Sequence, residues 1–406
     1  MTIAKRKTLV TRRPPKGLTV GWLTMFVIGS DLFVVSPLLP LIAADYGTSP
    51  GLAGLSVTTF ALSYMLSAPI LGHIADKTSR ERVLTWSLCA FAAANVFTAV
   101  AGSLIWLIAA RLCAGAATAG VSPAVYALIS GSAPPEQRAT WLSIAVSGLL
   151  MSLSFGASTG GLIGAAFRWR LVFAGLAALS LLLVWANRWV WHDCYGATSS
   201  TVSQRRLTIP AVVPRLAPTV VWSTALYATY TYLGDGLTSF GYSTEKIAGV
   251  LIFYGSGAIC GVLLGGRMTD RLGAGLTSTI GLSGLCCCFF LLRLVLDTGV
   301  LVNCAFGLLS LLAQLFFPAQ QVRLAQEFPA ARTTILAWNN SALFFGISLG
   351  SLIGGQAIYA ADFNLNLAIS AVIAAIALAF NQTSHPMPAP ETILRPPRPA
   401  EAGGAR

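Results

Sequence analysis

Charge is scarce in this chain. Asp, Glu, Lys and Arg together make up 10% of its 406 residues, and only 14 residues are acidic. An average soluble domain carries about 25% charged residues. So few charges cannot cover a water-exposed surface. Hydrophobic residues make up 55%, with a mean hydropathy of +0.72, so the lipid bilayer is the expected solvent. Intrinsic disorder, nucleic-acid binding and ordinary soluble catalysis are excluded on this ground. Histidine is rarer still: His73, His192 and His385 are scattered, so no metal site is expected. The eight cysteines lack zinc-ligand spacing, and Cys286, Cys287 and Cys288 would point three ways on a helix. They read as small buried hydrophobes. H-E-x-x-H, G-x-S-x-G and P-loop patterns are missing, so neither an enzyme nor a cofactor is expected.

What the chain does have is long apolar runs, at about 17–43, 51–74, 83–102, 104–131, 139–165 and 171–190, then 215–240, 246–266, 275–296, 299–322, 333–358 and 364–381. Each is long enough to cross a bilayer. Twelve transmembrane helices in an all-α integral membrane protein are therefore expected. The expected organisation is an N-tail at 1–16, a bundle at 17–190, a polar linker at 191–214, a second bundle at 215–381 and a disordered tail at 382–406. The tail is proline-rich. Lys5, Arg6, Lys7, Arg12, Arg13 and Lys16 precede the first run, which is too long for a signal peptide and reads as an uncleaved helix. Most other basic residues fall in loops on the same side, while the opposite loops hold only Arg168, Arg170 and Lys246. The net charge of +12 is thus a positive-inside signal, with both termini expected in the cytoplasm.

The two bundles look duplicated. Gly72-His-Ile-Ala-Asp76-Lys77 follows the second run and Gly266-Arg-Met-Thr-Asp270-Arg271 follows the eighth, 194 positions later. At the same offset, Gly156, Gly160 and Gly161 match Gly350, Gly354 and Gly355, and Pro135, Arg138 and Thr140 match Pro329, Arg332 and Thr334. Parallel duplicated halves facing each other are the architecture of a rocking transporter.

These motifs resemble those of the major facilitator superfamily. Gly72 to Arg82 is similar to its loop signature G-x-x-x-D-R-x-G-R-R, with Lys77 and Ser79 departing from the common residues. Arg111-Leu-Cys-Ala-Gly115 resembles its R-x-x-x-G pattern. Gly156 to Gly161 resembles the antiporter signature G-P-x-x-G-G, with Ala157 in place of proline. Asp31, Pro40 to Asp45, Ala68-Pro69, Trp169-Arg170 and Phe173 are similar to the drug:proton antiporter-1 branch, and within it to the sugar- and chloramphenicol-type efflux permeases. The resemblance implies the major facilitator fold and a proton-coupled exporter of small organic molecules in a bacterial inner membrane. Its implied partners are protons, a small-molecule substrate and lipid, with no nucleic acid, and the implied state is a monomer. Export of a specific metabolite (a sugar, nucleobase or amino acid derivative) and proton-coupled uptake are the alternatives.

Several residues have physical jobs to do. Asp31 lies well inside the first run, where a charge costs several kcal/mol unless paired, hydrated or protonated. It is the expected proton acceptor, competing with substrate; a structural partner for a buried base is the alternative. Arg111 falls within roughly 10 Å of its depth at about 1.5 Å per residue, and is expected to modulate it. Asp235 is a candidate second protonation site, or a solvated acid at the interface. Asp76, Lys77, Arg80, Asp270 and Arg271 are expected to form a cytoplasmic latch. Tyr64, Tyr126, Tyr227, Tyr230, Gln314, Gln320, Asn339 and Asn340 are candidate cavity liners, although adjacent Asn339 and Asn340 cannot both face one way. Gly156, Gly160, Gly161, Gly350, Gly354 and Gly355 form small-residue stripes for close helix packing that helps the halves rock.

Overall fold

A computed structural model describes residues 16–134, 137–191 and 209–383. The described residues are helical throughout, with no strand. The first span is broken, as α1 (Lys16–Phe33) and α2 (Val35–Asp45), with a bend of 44° between them. The cause is local. Pro37 has no N–H to donate to the carbonyl of Phe33, four residues earlier. The next spans are α3 (Pro50–Lys77), α4 (Arg80–Ala99) and α5 (Leu104–Ser132). Ser49, Ser79 and Ser103 start them as N-caps, each accepting from a backbone N–H three residues on.

The fifth span joins α6 (Arg138–Met151) to α7 (Ala157–Ala166) through a π-helical turn at Ser152–Gly156. α8 (Trp169–Trp191) completes the first half. The second half comprises α9 (Ile209–Thr231), α10 (Leu233–Ser239), α11 (Thr244–Leu272), α12 (Ala274–Val295), α13 (Gly299–Glu327), α14 (Arg332–Ala360) and α15 (Phe363–Thr383). α9 and α10 form one broken span, interrupted at Tyr232. Positions 209–214, expected in the linker, are helical. Pro210 sits in the first turn of α9, where no N–H is needed. The linker positions 192–208, the N-tail to 15 and the tail from 384 lie outside the described residues.

Ten of these helices, and an eleventh if α1 and α2 are one span, are long and apolar enough to cross a membrane. The α9–α10 pair falls short of that hydropathy. It carries Thr219, Ser223, Thr224, Thr229 and Thr231 among its buried residues. The polarity that hides this span from a hydropathy criterion is polarity turned inward.

Within each half, α1 packs on α6 and α8, and α9 packs on α14 and α15. Hydrogen bonds between the halves gather towards the Asp45 end. Ser158 Oγ of α7 donates to the carbonyl of Ala248 in α11 at 3.0 Å, and Ser351 Oγ of α14 donates to that of Gly54 in α3 at 2.9 Å. These two seams are near-equivalent under the sequence repeat. A Cβ on Gly51 would lie 2.8 Å from the carbonyl oxygen of Gly355, so only glycine permits that approach. The stripe glycines make close helix contacts. Gly156 abuts Ser30 and Gly160 abuts Val34; 194 positions later, Gly350 abuts Thr224 and Gly354 abuts Ala228. They close contacts inside each half, first helix on fifth, and Gly161 likewise faces Pro37. Gly355 alone among the six meets the opposite half.

Candidate functional site

Asp31 and Arg111 meet. Arg111 Nη1 donates to both carboxylate oxygens of Asp31 at 2.8 Å, and Nη2 reaches the backbone carbonyl of Asp31 at 3.3 Å. Both are essentially without solvent contact, at 0% and 1% exposure. The guanidinium lies over Phe60 of α3 at 4.6 Å and Phe173 of α8 at 5.4 Å, and its Nε has no partner. A hydrogen-bonded ion pair between aromatic faces is how a low-dielectric interior tolerates two charges. Asp235 is elsewhere. It sits half-buried in the first turn of α10, and no hydrogen bond or ion pair joins it to Asp31 or Arg111. It lies past the break at Tyr232, so a second protonation site there would be separate from the Asp31–Arg111 pair.

The broken spans enclose a small cavity. Leu32, Ser36, Val57, Tyr227, Tyr230, Thr231 and Ile347 line about 10 Å³, room for about one water. Thr231 Oγ1 lacks a partner there. Tyr230 stacks edge-on against Phe33 and Tyr227, and tilts against Tyr254 at 5.1 Å. Nearer mid-helix, Tyr64 stacks on Phe344 at 3.5 Å and accepts from Asn340 Nδ2 at 3.1 Å across the halves. Tyr126 lies beside Tyr64. This core of tyrosines and one amide is uncharged.

Gln314 is half-buried on α13, with its Cβ beside Gly261 of α11. Two expected liners are not brought to this core. Gln320 is buried, its Nε2 donating to the carbonyl of Arg215 at 2.8 Å. Asn339 is buried and accepts from Thr219 Oγ1 at 2.6 Å. Consecutive residues point about 100° apart on a helix, which sends Asn339 into its own half and Asn340 across to the other.

The latch residues are only partly placed. The side chains of Asp76 and Lys77 lie outside the described residues. Arg80 is half-buried, while Asp270 and Arg271 are exposed. At that basic end the second half has a network missed in the sequence. Arg215 Nε pairs with Glu327 at 3.1 Å, Arg323 pairs with the same carboxylate at 3.3 Å, and Arg323 Nη1 donates to Asn381 Oδ1 at 3.1 Å. At the opposite end, the motif residues Asp45, Trp169 and Arg170 form a clamp. Asp45 pairs with Arg170 and accepts from Trp169 Nε1, while Arg170 and Tyr46 both donate to the carbonyl of Ala101. Burial pushes the Tyr46 phenol up from its ordinary value, against the pull of Arg170, so it stays a donor.

Comparison with known proteins agrees with this geometry. The Major Facilitator Superfamily profile matches residues 21–351. The chain is 30% identical over 338 residues to the uncharacterized MFS-type transporter YceJ of Bacillus subtilis, covering 82% of this chain and 86% of that protein. It is 26% identical over 262 residues to a chloramphenicol resistance protein of Streptomyces lividans, covering 63% and 67%. It is 26% identical over 387 residues to the inner membrane transport protein YdhP of Escherichia coli K12, covering 90% and 94%. In fold it is similar to a bacterial homologue of the lysosomal transporter Spinster in an inward-facing, occupied conformation, with a TM-score of 0.71 at 17% identity, covering 90% and 95%. The profile covers most of the chain and the relatives are transporters over most of their length, and the chain belongs to the major facilitator superfamily of membrane transporters.

Proposed function

We propose that this transporter exports small, uncharged aromatic molecules from the bacterial cytoplasm in exchange for protons entering through Asp31. The observation that carries the proposal is the Asp31–Arg111 pair, a carboxylate held without solvent contact in a membrane span. Such a group is expensive to keep and marks proton and ion pathways. Protonation of Asp31 would release Arg111, and a carrier needs such a differential interaction to favour one facing state over the other. The tyrosine-rich cavity and the lack of charge around it favour neutral or weakly polar substrates over polycations. The chloramphenicol resistance relative supports the efflux direction.

In this reading the chain is a monomer in the inner membrane, with bundles at 17–190 and 215–381 and both termini cytoplasmic. The seams at the Asp45 end are then the closed extracellular gate. Asp76, Lys77, Arg80, Asp270 and Arg271 form the cytoplasmic latch of the opposite state. The test is accumulation of chloramphenicol and a panel of uncharged aromatic compounds in a sensitive bacterium expressing the protein. Lower accumulation of some compound, restored by a protonophore and by Asp31→Asn, is expected. Accumulation unchanged for every compound refutes the export reading.

A further inference from the structure

The two helix breaks do not merely lie near each other. They exchange hydrogen bonds. Pro37 leaves the carbonyl of Phe33 without its helical donor, and the hydroxyl of Tyr230 takes that place at 3.1 Å, across the halves. In return, Ser36 Oγ donates to the carbonyl of Tyr230 at 2.5 Å. Ser36 and Tyr230 are 194 positions apart, the offset of the internal repeat, so equivalent positions of the two halves meet on their pseudo-two-fold axis.

Two residues before Phe33 stands Asp31. Arg111 holds its carboxylate and also its backbone carbonyl. The last turn of α1 is therefore gripped from one side by Arg111 and from the other by Tyr230. The two bonds of the outer seam, Ser158 to Ala248 and Ser351 to Gly54, link serines to backbone, and Asn340 meets the Tyr64 phenol nearer mid-helix. The ring of Tyr230 meanwhile forms a wall of the cavity, packed on Tyr227 and Tyr254. From the helices packed around the pair, α5 contributes Arg111, while α3 and α8 contribute the apolar Phe60 and Phe173.

We infer that Tyr230 is the positioning residue that links the charge state of Asp31 to the cavity and to the outer seam. This rests on the proton-coupled reading above. Neutralising Asp31 loosens the grip of Arg111 on the end of α1, the Phe33 carbonyl shifts, and the Tyr230 hydroxyl loses its acceptor. The ring then moves in the cavity wall and the seam opens. Linkage makes the effect reciprocal, so a substrate that displaces the Tyr230 ring also alters proton binding at Asp31.

The test is backbone hydrogen exchange on the full chain in lipid nanodiscs, without ligand, comparing wild type, Asp31→Asn, Tyr230→Phe and the double variant. The readout is the outer seam, residues 51–58 and 351–358. Asp31→Asn is expected to raise seam exchange on the order of fivefold, the worth of about one net hydrogen bond. In the Tyr230→Phe background seam exchange is already raised, and Asp31→Asn adds less than about twofold, since residues on one path are not additive. Tyr242→Phe is the control. It loses a like bond, to the carbonyl of Leu296 at 2.7 Å, inside the second half, and leaves the effect of Asp31→Asn intact. An equal rise in both backgrounds overturns the inference, and so does no rise in either.

Should Asp31→Asn fail to fold, Arg111→Gln releases the same grip on the end of α1. It then raises seam exchange in the wild-type background and adds less than about twofold in Tyr230→Phe, with Ser36→Ala as the milder second variant; an equal rise in both backgrounds overturns the inference. Failure of the proton-coupled reading is seen separately. A seam result as expected with no substrate-driven proton movement in vesicles keeps the link and refutes proton coupling. Proton movement with an additive seam result does the reverse.

Discussion

Replacing Arg111 by methionine keeps an apolar stem of similar reach and removes the charge. It leaves the Asp31 carboxylate buried, having lost both 2.8 Å hydrogen bonds from Nη1. Charge-assisted hydrogen bonds contribute about 1.5–3 kcal/mol each. Breaking one side of a buried pair costs about 3–5 kcal/mol, because an uncompensated charge stays behind. Asp31→Leu is expected to cost about as much, since it strands a guanidinium that is 1% exposed between two phenylalanines. The double variant Asp31→Leu/Arg111→Met strands nothing, and apolar replacement of a whole buried pair is commonly near neutral. It is therefore expected within about 1–2 kcal/mol of wild type, although it transports nothing. Denaturant unfolding in mixed micelles measures all four proteins. Single losses that sum to the double loss within about 0.5 kcal/mol would refute mutual neutralisation as the reason the two charges tolerate the interior.

Gly51→Val would push a side chain into the carbonyl of Gly355, so it is expected to prop the outer seam apart, raise exchange at 51–58 and abolish transport while the protein stays folded. Arg170→Ala dismantles the Asp45 clamp, but both partners are partly exposed, at 29% and 40%, so a loss of only about 1 kcal/mol is expected in the same unfolding assay. Glu327→Gln leaves Arg215 and Arg323 facing each other with reduced compensation. It is expected to cost about 2–3 kcal/mol, and lysine at either arginine position should recover little of the lost geometry. Tyr64→Phe removes the acceptor of Asn340 while keeping the stack on Phe344. It is expected to weaken substrate binding less than tenfold, measured by ligand titration of the purified protein.

The Asp31–Arg111 pair was legible in the sequence because charges inside apolar runs are few and depth along a helix is simple arithmetic. The repeat was legible because glycines mark close approach, and close approach is inherited by both halves. Their partners were not legible. The stripe glycines read as close-packing positions, but their partners Ser30, Val34, Thr224 and Ala228 were not readable, since sequence spacing gives a face but not what it faces. Gln320 and Asn339 were chosen by residue type. Rotation about the helix sends both into contacts within their own half. The Tyr230 bond to Phe33 depends on a proline in one half freeing a carbonyl for a phenol in the other, a coincidence that appears only once the halves are docked. The Glu327 network was not legible because one of its partners, Arg215, comes from α9, while Arg323 stands one turn back on α13.

The central claim is that proton movement through Asp31 drives substrate movement. Inside-out vesicles carrying an imposed acid interior test it directly, with a pH-sensitive dye and a panel of antibiotics, dyes, sugars and nucleobases. The account predicts that an uncharged aromatic compound dissipates the gradient in wild type and leaves it intact in Asp31→Asn. Dissipation that persists in Asp31→Asn, or none in wild type with a compound that the purified protein binds, would contradict it.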